Sequence, residues 1–206
     1  LLYFVQGYEV FFENGKNYGK VEQSYFLADE VAVISNWLKH KLENNFNIKS
    51  TVLNNGFDEF LFFPKKTSGV ESASITLVLR GVQDKGDWVL LDLIKKLLSL
   101  DNIKLNVVFF KDIDFPLNSS KINKIKGPLS KKEIAKIMQE TDIFADASFH
   151  EGFGLFPLEA IACGAVPVVS NSGGINDFIK DGINGFIIDE VNQSEAYFNK
   201  ILHLWR

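Results

Sequence analysis

Cysteine is nearly absent: Cys163 is the only one in 206 residues. One thiol makes no internal disulfide and no thiolate metal cage, which fits a reducing compartment. Arginine is almost as scarce. Arg80 and Arg206 are the only two, and every other basic side chain is lysine. No apolar run approaches the roughly 18–20 residues that cross a bilayer. Runs such as Trp88–Leu91 and Val107–Phe110 have strand length or belong to amphipathic helices. An excess of positive charge is also missing. Lys and Arg total 22 against 26 Asp and Glu, a net charge of −4, so nucleic acid and anionic lipid are disfavoured as partners. Leu1–Val10 has neither a basic lead nor a small-residue cleavage site, so no secretory leader is expected there. Disorder and low complexity are excluded by 46% hydrophobic and 23% charged residues, the ordinary globular range.

What is present is phenylalanine, at 19 residues, and a regular alternation of strand-like and helix-like segments. Leu2–Val5, Glu30–Ser35 and Ser50–Leu53 read as strands, with helices over Gly19–Ala28 and Trp37–Asn44. A polar stretch, Lys65–Ser74, reads as a linker. A second series follows, with strands at Ile75–Leu79, Leu105–Phe110, Ile143–Ala147, Val166–Ser170 and Gly185–Ile188. Its helices are expected over Trp88–Leu100, Ser130–Glu140, Pro157–Cys163, Gly174–Lys180 and Asn192–Leu204. Ser130-Lys-Lys-Glu133 is a capping box. Near-continuous apolar strands joined by helices predict α/β architecture: a Rossmann-like parallel sheet with helices on both faces, beside a partial second α/β domain. The expected divisions are 1–64 (partial), 65–74 (linker) and 75–206. The chain opens with Leu inside an apolar stretch, so a piece of a longer protein is expected.

In such sheets ligands bind beyond the carboxyl ends of the strands. Three segments stand there. The first is Ser148-Phe-His-Glu-Gly-Phe-Gly-Leu-Phe-Pro-Leu-Glu159. Gly152 and Gly154 permit close backbone approach. The amides of Leu155 and Phe156 open a helix and suit a diphosphate. Glu151 and Glu159 are carboxylates able to accept pairs of hydroxyl hydrogen bonds, as a polyol offers. Each has a plainer reading: Glu159 complements a helix dipole, and the glycines shape a turn. The second segment carries Arg80 and Lys85, a fork and a point charge that could neutralise a diphosphate, or merely a solvated pair. The third is Ser170-Asn-Ser-Gly173-Gly174, a further turn with free amides.

Glu151-Gly-Phe-Gly-Leu-Phe-Pro-Leu-Glu159-Ala-Ile-Ala-Cys-Gly-Ala-Val-Pro-Val-Val resembles the E-x7-E region of the family 4 retaining glycosyltransferases, which have the GT-B fold. Arg80 and Lys85-Gly86 are similar to that family's strand–Arg–loop–Lys-Gly pattern. Gly173-Gly174 and Asp181-Gly-Ile-Asn-Gly185 are similar to the motifs that follow. Tyr3-Phe-Val-Gln-Gly-Tyr-Glu9 resembles a run in rhamnosyltransferase-like members.

The resemblance implies a role for each matching residue. Glu151 would bind the donor sugar's hydroxyls and Glu159 the nucleotide ribose. Arg80 and Lys85 would hold the diphosphate and stabilise its departing charge, with the Leu155 and Phe156 amides. The base would lie near Gly127–Leu129, mostly on backbone. Residues 1–64 would be the end of an acceptor domain and 75–206 the donor domain. The reaction implied is transfer of a sugar from a nucleotide-diphosphate donor to a hydroxyl of a glycan or lipid-linked acceptor. Configuration would be retained, with no metal or other cofactor. Polysaccharide biosynthesis in the cytoplasm is the expected setting, with the whole protein peripheral at a membrane as a variant. The family's glycine-rich loop and acceptor-domain histidine have no counterpart here, since His40, His150 and His203 do not match. This piece alone could bind donor without transferring. Rival readings are a non-catalytic nucleotide-sugar-binding module, a GT-B epimerase or phosphorylase, and a metal-dependent transferase using Asp112-Ile-Asp114. The apolar side chains of the N-terminal part, Phe11, Phe12, Phe26, Trp37 and Phe46, are expected to be short of partners and to drive self-association.

Overall fold

The computed structural model describes residues 1–10, 16, 18–65, 72–111 and 113–205. The chain divides into two compact units. One comprises Leu1–Gly56 with Glu151–Gly154 and Gly173–Phe178; the other comprises Phe57–His150, Leu155–Ser172 and Ile179–Arg206. Most of the expected linker, residues 66–71, lies outside the described residues, as do Phe11, Phe12 and Asp112.

The smaller unit holds a parallel three-stranded sheet in the order β1-β2-β3. Its strands are β1 (Leu2–Val5), β2 (Glu30–Val33) and β3 (Thr51–Val52). Helix α1 (Tyr18–Tyr25) follows β1, and α2 (Asn36–Phe46) follows β2. Ser35 opens α2 by accepting a hydrogen bond from the Leu38 amide at 3.1 Å, and Asn47 closes it in the left-handed region, as cap chemistry favours. Leu38, Leu42 and Phe46 face inward. Phe46, expected to lack partners, is instead buried among the rings of Tyr8, Tyr18 and Tyr25. Trp37 is half-buried with its ring edge-on to Tyr8. Phe26 does stay exposed.

The larger unit is a six-stranded parallel sheet in the order β6-β5-β4-β7-β8-β9. The strands are β4 (Ala73–Leu79), β5 (Ile103–Phe109), β6 (Ile122–Lys126), β7 (Ile143–Asp146), β8 (Val166–Ser170) and β9 (Phe186–Ile188). The helices are α3 (Asp87–Leu97), α4 (Lys131–Gln139), α5 (Leu155–Ala162) and α6 (Ser194–Trp205). The chain starts at the centre, winds outward to β6, then returns to lay β7 beside β4. That reversal is the switch point of a doubly wound sheet, where a crevice opens beyond the strand ends. The central strands are apolar because helices cover both faces. α3 packs with α6, and α4 packs with α5. Val89, Leu90, Leu93, Ile94 and Leu97 of α3 join Ile75, Leu77 and Leu79 of β4 in one core. The capping box forms: the Glu133 amide donates to the Ser130 hydroxyl, and the Ser130 amide donates to Glu133 at 2.7 Å.

Two elements differ from the sequence expectation. β6 was not anticipated, because its Ile-Asn-Lys-Ile-Lys pattern is that of an exposed edge strand rather than a buried one. The helix expected over Gly174–Lys180 is a single 3-10 turn, Gly174–Asp177. The Gly174 amide bonds the Glu151 carbonyl at 2.9 Å, while the Asn176 and Phe178 amides reach back only three residues, so no α-helical ladder starts.

Candidate functional site

Arg80 follows β4 directly, at one side of the switch point, and the loop from Ala147 follows β7 at the other. The guanidinium of Arg80 spans them. Its Nη2 donates to Asp146 Oδ2 at 3.0 Å and its Nη1 to Ser148 Oγ at 2.9 Å. The side chains of Arg80 and Asp146 are 16% and 2% exposed, so this ion pair is mostly buried. The Ser148 amide also donates to Asp146 at 2.8 Å, and the Ser170 hydroxyl donates to the Ser148 carbonyl. The Arg80 amide donates to the Asp87 carboxylate at 3.1 Å, which pins the backbone behind the guanidinium.

Asp146 and Asp87 carry no sequence signal of a site, and Ser148 opens the first candidate segment without a role of its own there. That a polar residue closes an apolar strand, as in Ile-Phe-Ala-Asp146, is the one feature that could have drawn attention to the first.

The β4–α3 loop is drawn onto the same region. The Phe149 amide donates to the Asp84 carbonyl at 2.8 Å. Lys85, in a 3-10 turn over Gln83–Lys85, donates through Nζ to the His150 carbonyl at 3.2 Å. Gly86 has φ +64, and a Cβ there would lie 2.1 Å from the Ala147 carbonyl oxygen. Only glycine lets this loop close against the end of β7.

On the α5 side, the Arg80 guanidinium carbon lies 5.3 Å from the centroid of the Phe156 ring, within cation–π range. Phe156 meets Phe110 at 5.7 Å. Leu155 and Phe156 are the first two residues of α5, so their amides have no partner within the helix. Gly127 is already engaged through its amide, which donates to the Phe109 carbonyl at 2.7 Å, and Leu129 is half-buried two residues on. Glu159 is half-buried on α5. Among the described residues no hydrogen-bond donor meets its carboxylate. Burial pushes its pKa up to about 7, with Lys131 opposing the shift. One turn on, burial raises the Cys163 thiol to about 11, far from the depressed value a nucleophile needs.

The remaining candidates belong to the smaller unit. Glu151 and Gly173 form a parallel bridge. A Cβ on Gly152 would lie 2.4 Å from the Gln6 carbonyl oxygen, one on Gly174 would lie 2.0 Å from the Gly152 carbonyl oxygen, and one on Gly173 would enter the Trp37 ring. At these three positions the chain packs closely on itself and leaves no room for a Cβ. Gly154 has φ +98. Asp177 accepts from the Asn36 amide at 2.6 Å, holding this loop to the start of α2. Asp114 is exposed and its D-x-D partner Asp112 lies outside the described residues. Among the described residues no three His, Cys, Asp or Glu side chains stand together as a metal site, and no helix is long and apolar enough to cross a membrane.

Known proteins fit this arrangement. An uncharacterized glycosyltransferase of Methanocaldococcus jannaschii is 26% identical over 182 residues, covering 86% of this chain and 50% of that protein. A second from the same organism is 28% identical over 193 residues, covering 87% and 49%. The chain thus spans about half the length of these curated relatives. Among solved structures, sucrose-phosphate synthase from Thermosynechococcus elongatus superposes with a TM-score of 0.81 at 18% identity, covering 99% of this chain and 58% of that one. Anabaena HepE, solved with UDP and glucose, gives 0.77 at 20% identity, covering 100% and 62%. The fold is therefore the GT-B type expected from the motifs. The model of the glycosyl transferases group 1 family matches residues 62–205, and the chain belongs to that family.

Proposed function

We propose that the protein transfers a sugar from a nucleoside-diphosphate donor to an acceptor hydroxyl, with retained configuration, as a family 4 member. The carrying observation is the Arg80 guanidinium, held by Asp146 and Ser148 at the sheet's switch point. A cation fixed in advance where negative charge will develop needs no reorganisation during reaction, and such stabilisation dominates the catalysis of many group transfers. Arg80 and Lys85 take the diphosphate, together with the Leu155 and Phe156 amides. Glu159, a half-buried carboxylate, takes the ribose hydroxyls, and Glu151 takes the sugar hydroxyls. The base lies along Gly127–Leu129, with the Gly127 amide withheld by the sheet. Residues 75–206 serve as the donor domain and 1–64 as part of the acceptor domain, for a glycan or lipid-linked acceptor. No metal takes part in this reading, because the lysine and arginine supply the positive charge. The exposed apolar side chains around β1 are the surface for a second copy.

Calorimetric titration tests the assignment of Arg80. UDP, a ligand of HepE in its solved complex, serves as the probe beside bare uridine. Arg80→Ala should weaken UDP by about 1.5–3 kcal/mol, the worth of a charge-assisted bond, and leave uridine nearly unchanged. Equal losses would remove Arg80 from the phosphate site. A thermal-shift panel of nucleotide sugars, UDP-glucose and dTDP-rhamnose among them, then identifies the donor through ligand stabilisation.

A further inference from the structure

Tyr197 of α6 is wholly buried in the core of the larger unit. Ile201, one turn on, is buried there too and carries no polar atom. A phenol hydroxyl out of water is costly unless it is hydrogen-bonded, so its partners are informative. One is the Val191 carbonyl, which accepts at 3.2 Å. That is longer than the usual O–H···O span of about 2.5–3.0 Å, so the bond is weak. The other partner is Ser170, at the carboxyl end of β8, the strand on which α6 packs. Burial raises the Tyr197 phenol pKa, the Asp146 charge raises it further, and a hydrogen bond with the Ser170 side chain opposes them. Tyr197 therefore stays a neutral donor.

Ser170 is itself fully buried, and its hydroxyl donates to the Ser148 carbonyl. Its one proton is spent there, so towards Tyr197 it accepts. Ser148, also fully buried, joins the two sides of the sheet. Its carbonyl takes the Ser170 proton, its amide donates to Asp146 Oδ1 at 2.8 Å, and its hydroxyl accepts from Arg80 Nη1 at 2.9 Å. Arg80 lies on the α5 side, over the Phe156 ring. Tyr197 lies on the α3–α6 side, in one cluster with Leu90 and Ile94. A tyrosine present for bulk alone would need only the Val191 carbonyl. Bulk does not account for three buried hydroxyls, at 148, 170 and 197, standing in series behind the guanidinium. We propose that Tyr197 is a positioning residue for Arg80: through Ser170 and Ser148 it holds the end of β7 so that the guanidinium is aimed at the donor's diphosphate. The proposal rests on the diphosphate role given to Arg80 above.

Calorimetry with UDP and uridine tests this on Tyr197→Phe and Ser170→Ala, with Arg80→Ala as the reference. Tyr197→Phe keeps the ring and should weaken UDP by about three- to tenfold, the worth of one neutral hydrogen bond. Uridine affinity should stay unchanged and the melting temperature within a few degrees. Ser170→Ala should weaken UDP at least as much, and adding Tyr197→Phe to it should cost nothing further, because groups in one network do not add. The chain has only two arginines, so the guanidinium protons give a second reading by NMR with no ligand present. Those of Arg80 should exchange with water severalfold faster in Tyr197→Phe. An unchanged Arg80 signal, additive losses at 170 and 197, or uridine weakened as much as UDP would each overturn the positioning role. If Arg80→Ala weakens UDP and Tyr197→Phe does not, the proposal alone falls. If Arg80→Ala spares UDP, the diphosphate reading falls and the proposal with it.

Discussion

Arg80 and Asp146 bind each other at 3.0 Å across adjacent strands, with the carboxylate almost wholly out of water. The pair is costly to desolvate and is stable only intact, because removing one member strands the other's charge. Asp146→Ala should therefore lower the unfolding free energy by about 3 kcal/mol, the lower end for buried pairs, since Arg80 keeps some access to water. UDP affinity should fall with it as the guanidinium loses its orientation. Urea titration reads the first effect and calorimetry the second. A stability loss below about 1 kcal/mol would reduce the pair to the worth of a surface contact.

Gly86 and Gly182 form a matched comparison. Both have positive φ, +64 and +71, but a Cβ on Gly86 meets the Ala147 carbonyl oxygen at 2.1 Å whereas one on Gly182 meets nothing within 4 Å. Gly182→Ala carries only the backbone strain, about 1 kcal/mol. Gly86→Ala carries that strain and must also push the β4–α3 loop off the end of β7, so about 2–4 kcal/mol is expected. Equal losses in chemical denaturation would show that the contact relaxes freely.

How much of this was legible in the sequence depends on the kind of residue. β4, β7 and β8 announce themselves as short apolar runs, because parallel central strands are buried on both faces. The Ser130–Glu133 capping box is local chemistry and reads directly. Arg80 stands out through scarcity alone. β6 is hidden because an edge strand needs little apolar surface, and its lysines read as solvated loop. Asp146 is hidden because its charged partner comes from position 80, brought beside it only by the β4–β7 pairing. Gly152, Gly173 and Gly174 were visible as glycines, but what each one packs against is a tertiary fact. The Gly174–Lys180 segment has helical composition, yet the Gly174 amide is already spent on Glu151.

The surface around β1 bears on assembly. Leu2, Phe4, Phe26 and Leu27 are 64%, 41%, 60% and 73% exposed, and β1 lies at the edge of its sheet. An apolar patch beside an open strand edge invites a second chain. Light scattering should show self-association at roughly tens of micromolar, the range in which exposed apolar surfaces and strand edges associate. Leu2→Lys/Phe26→Lys should return a monomer of unchanged UDP affinity. A monomeric unsubstituted chain would remove the second-copy reading.

Glu159 links stability to ligand binding through one proton. Burial raises its carboxyl pKa from 4.5 to about 7, so the native state disfavours the ionised form more than the unfolded chain does. For a raised carboxyl, the contribution to stability is complete below about 4.5 and is lost as pH rises through about 7. Glu159→Gln keeps the shape and removes the titration. Relative to the variant, the unsubstituted protein should lose on the order of 2 kcal/mol between pH 4.5 and pH 8, discounted for the group's partial exposure. Ligand binding should run the other way. Ribose hydroxyls donate, and an ionised carboxylate is the better acceptor, so uridine affinity should rise between pH 6 and pH 8. Dideoxyuridine, which lacks both hydroxyls, should show no such rise, and neither should uridine with Glu159→Gln. Paired urea titrations and calorimetry at the two pH values read both halves. A uridine affinity independent of pH, with the stability difference present, would leave Glu159 a buried carboxyl of α5 and move the ribose elsewhere.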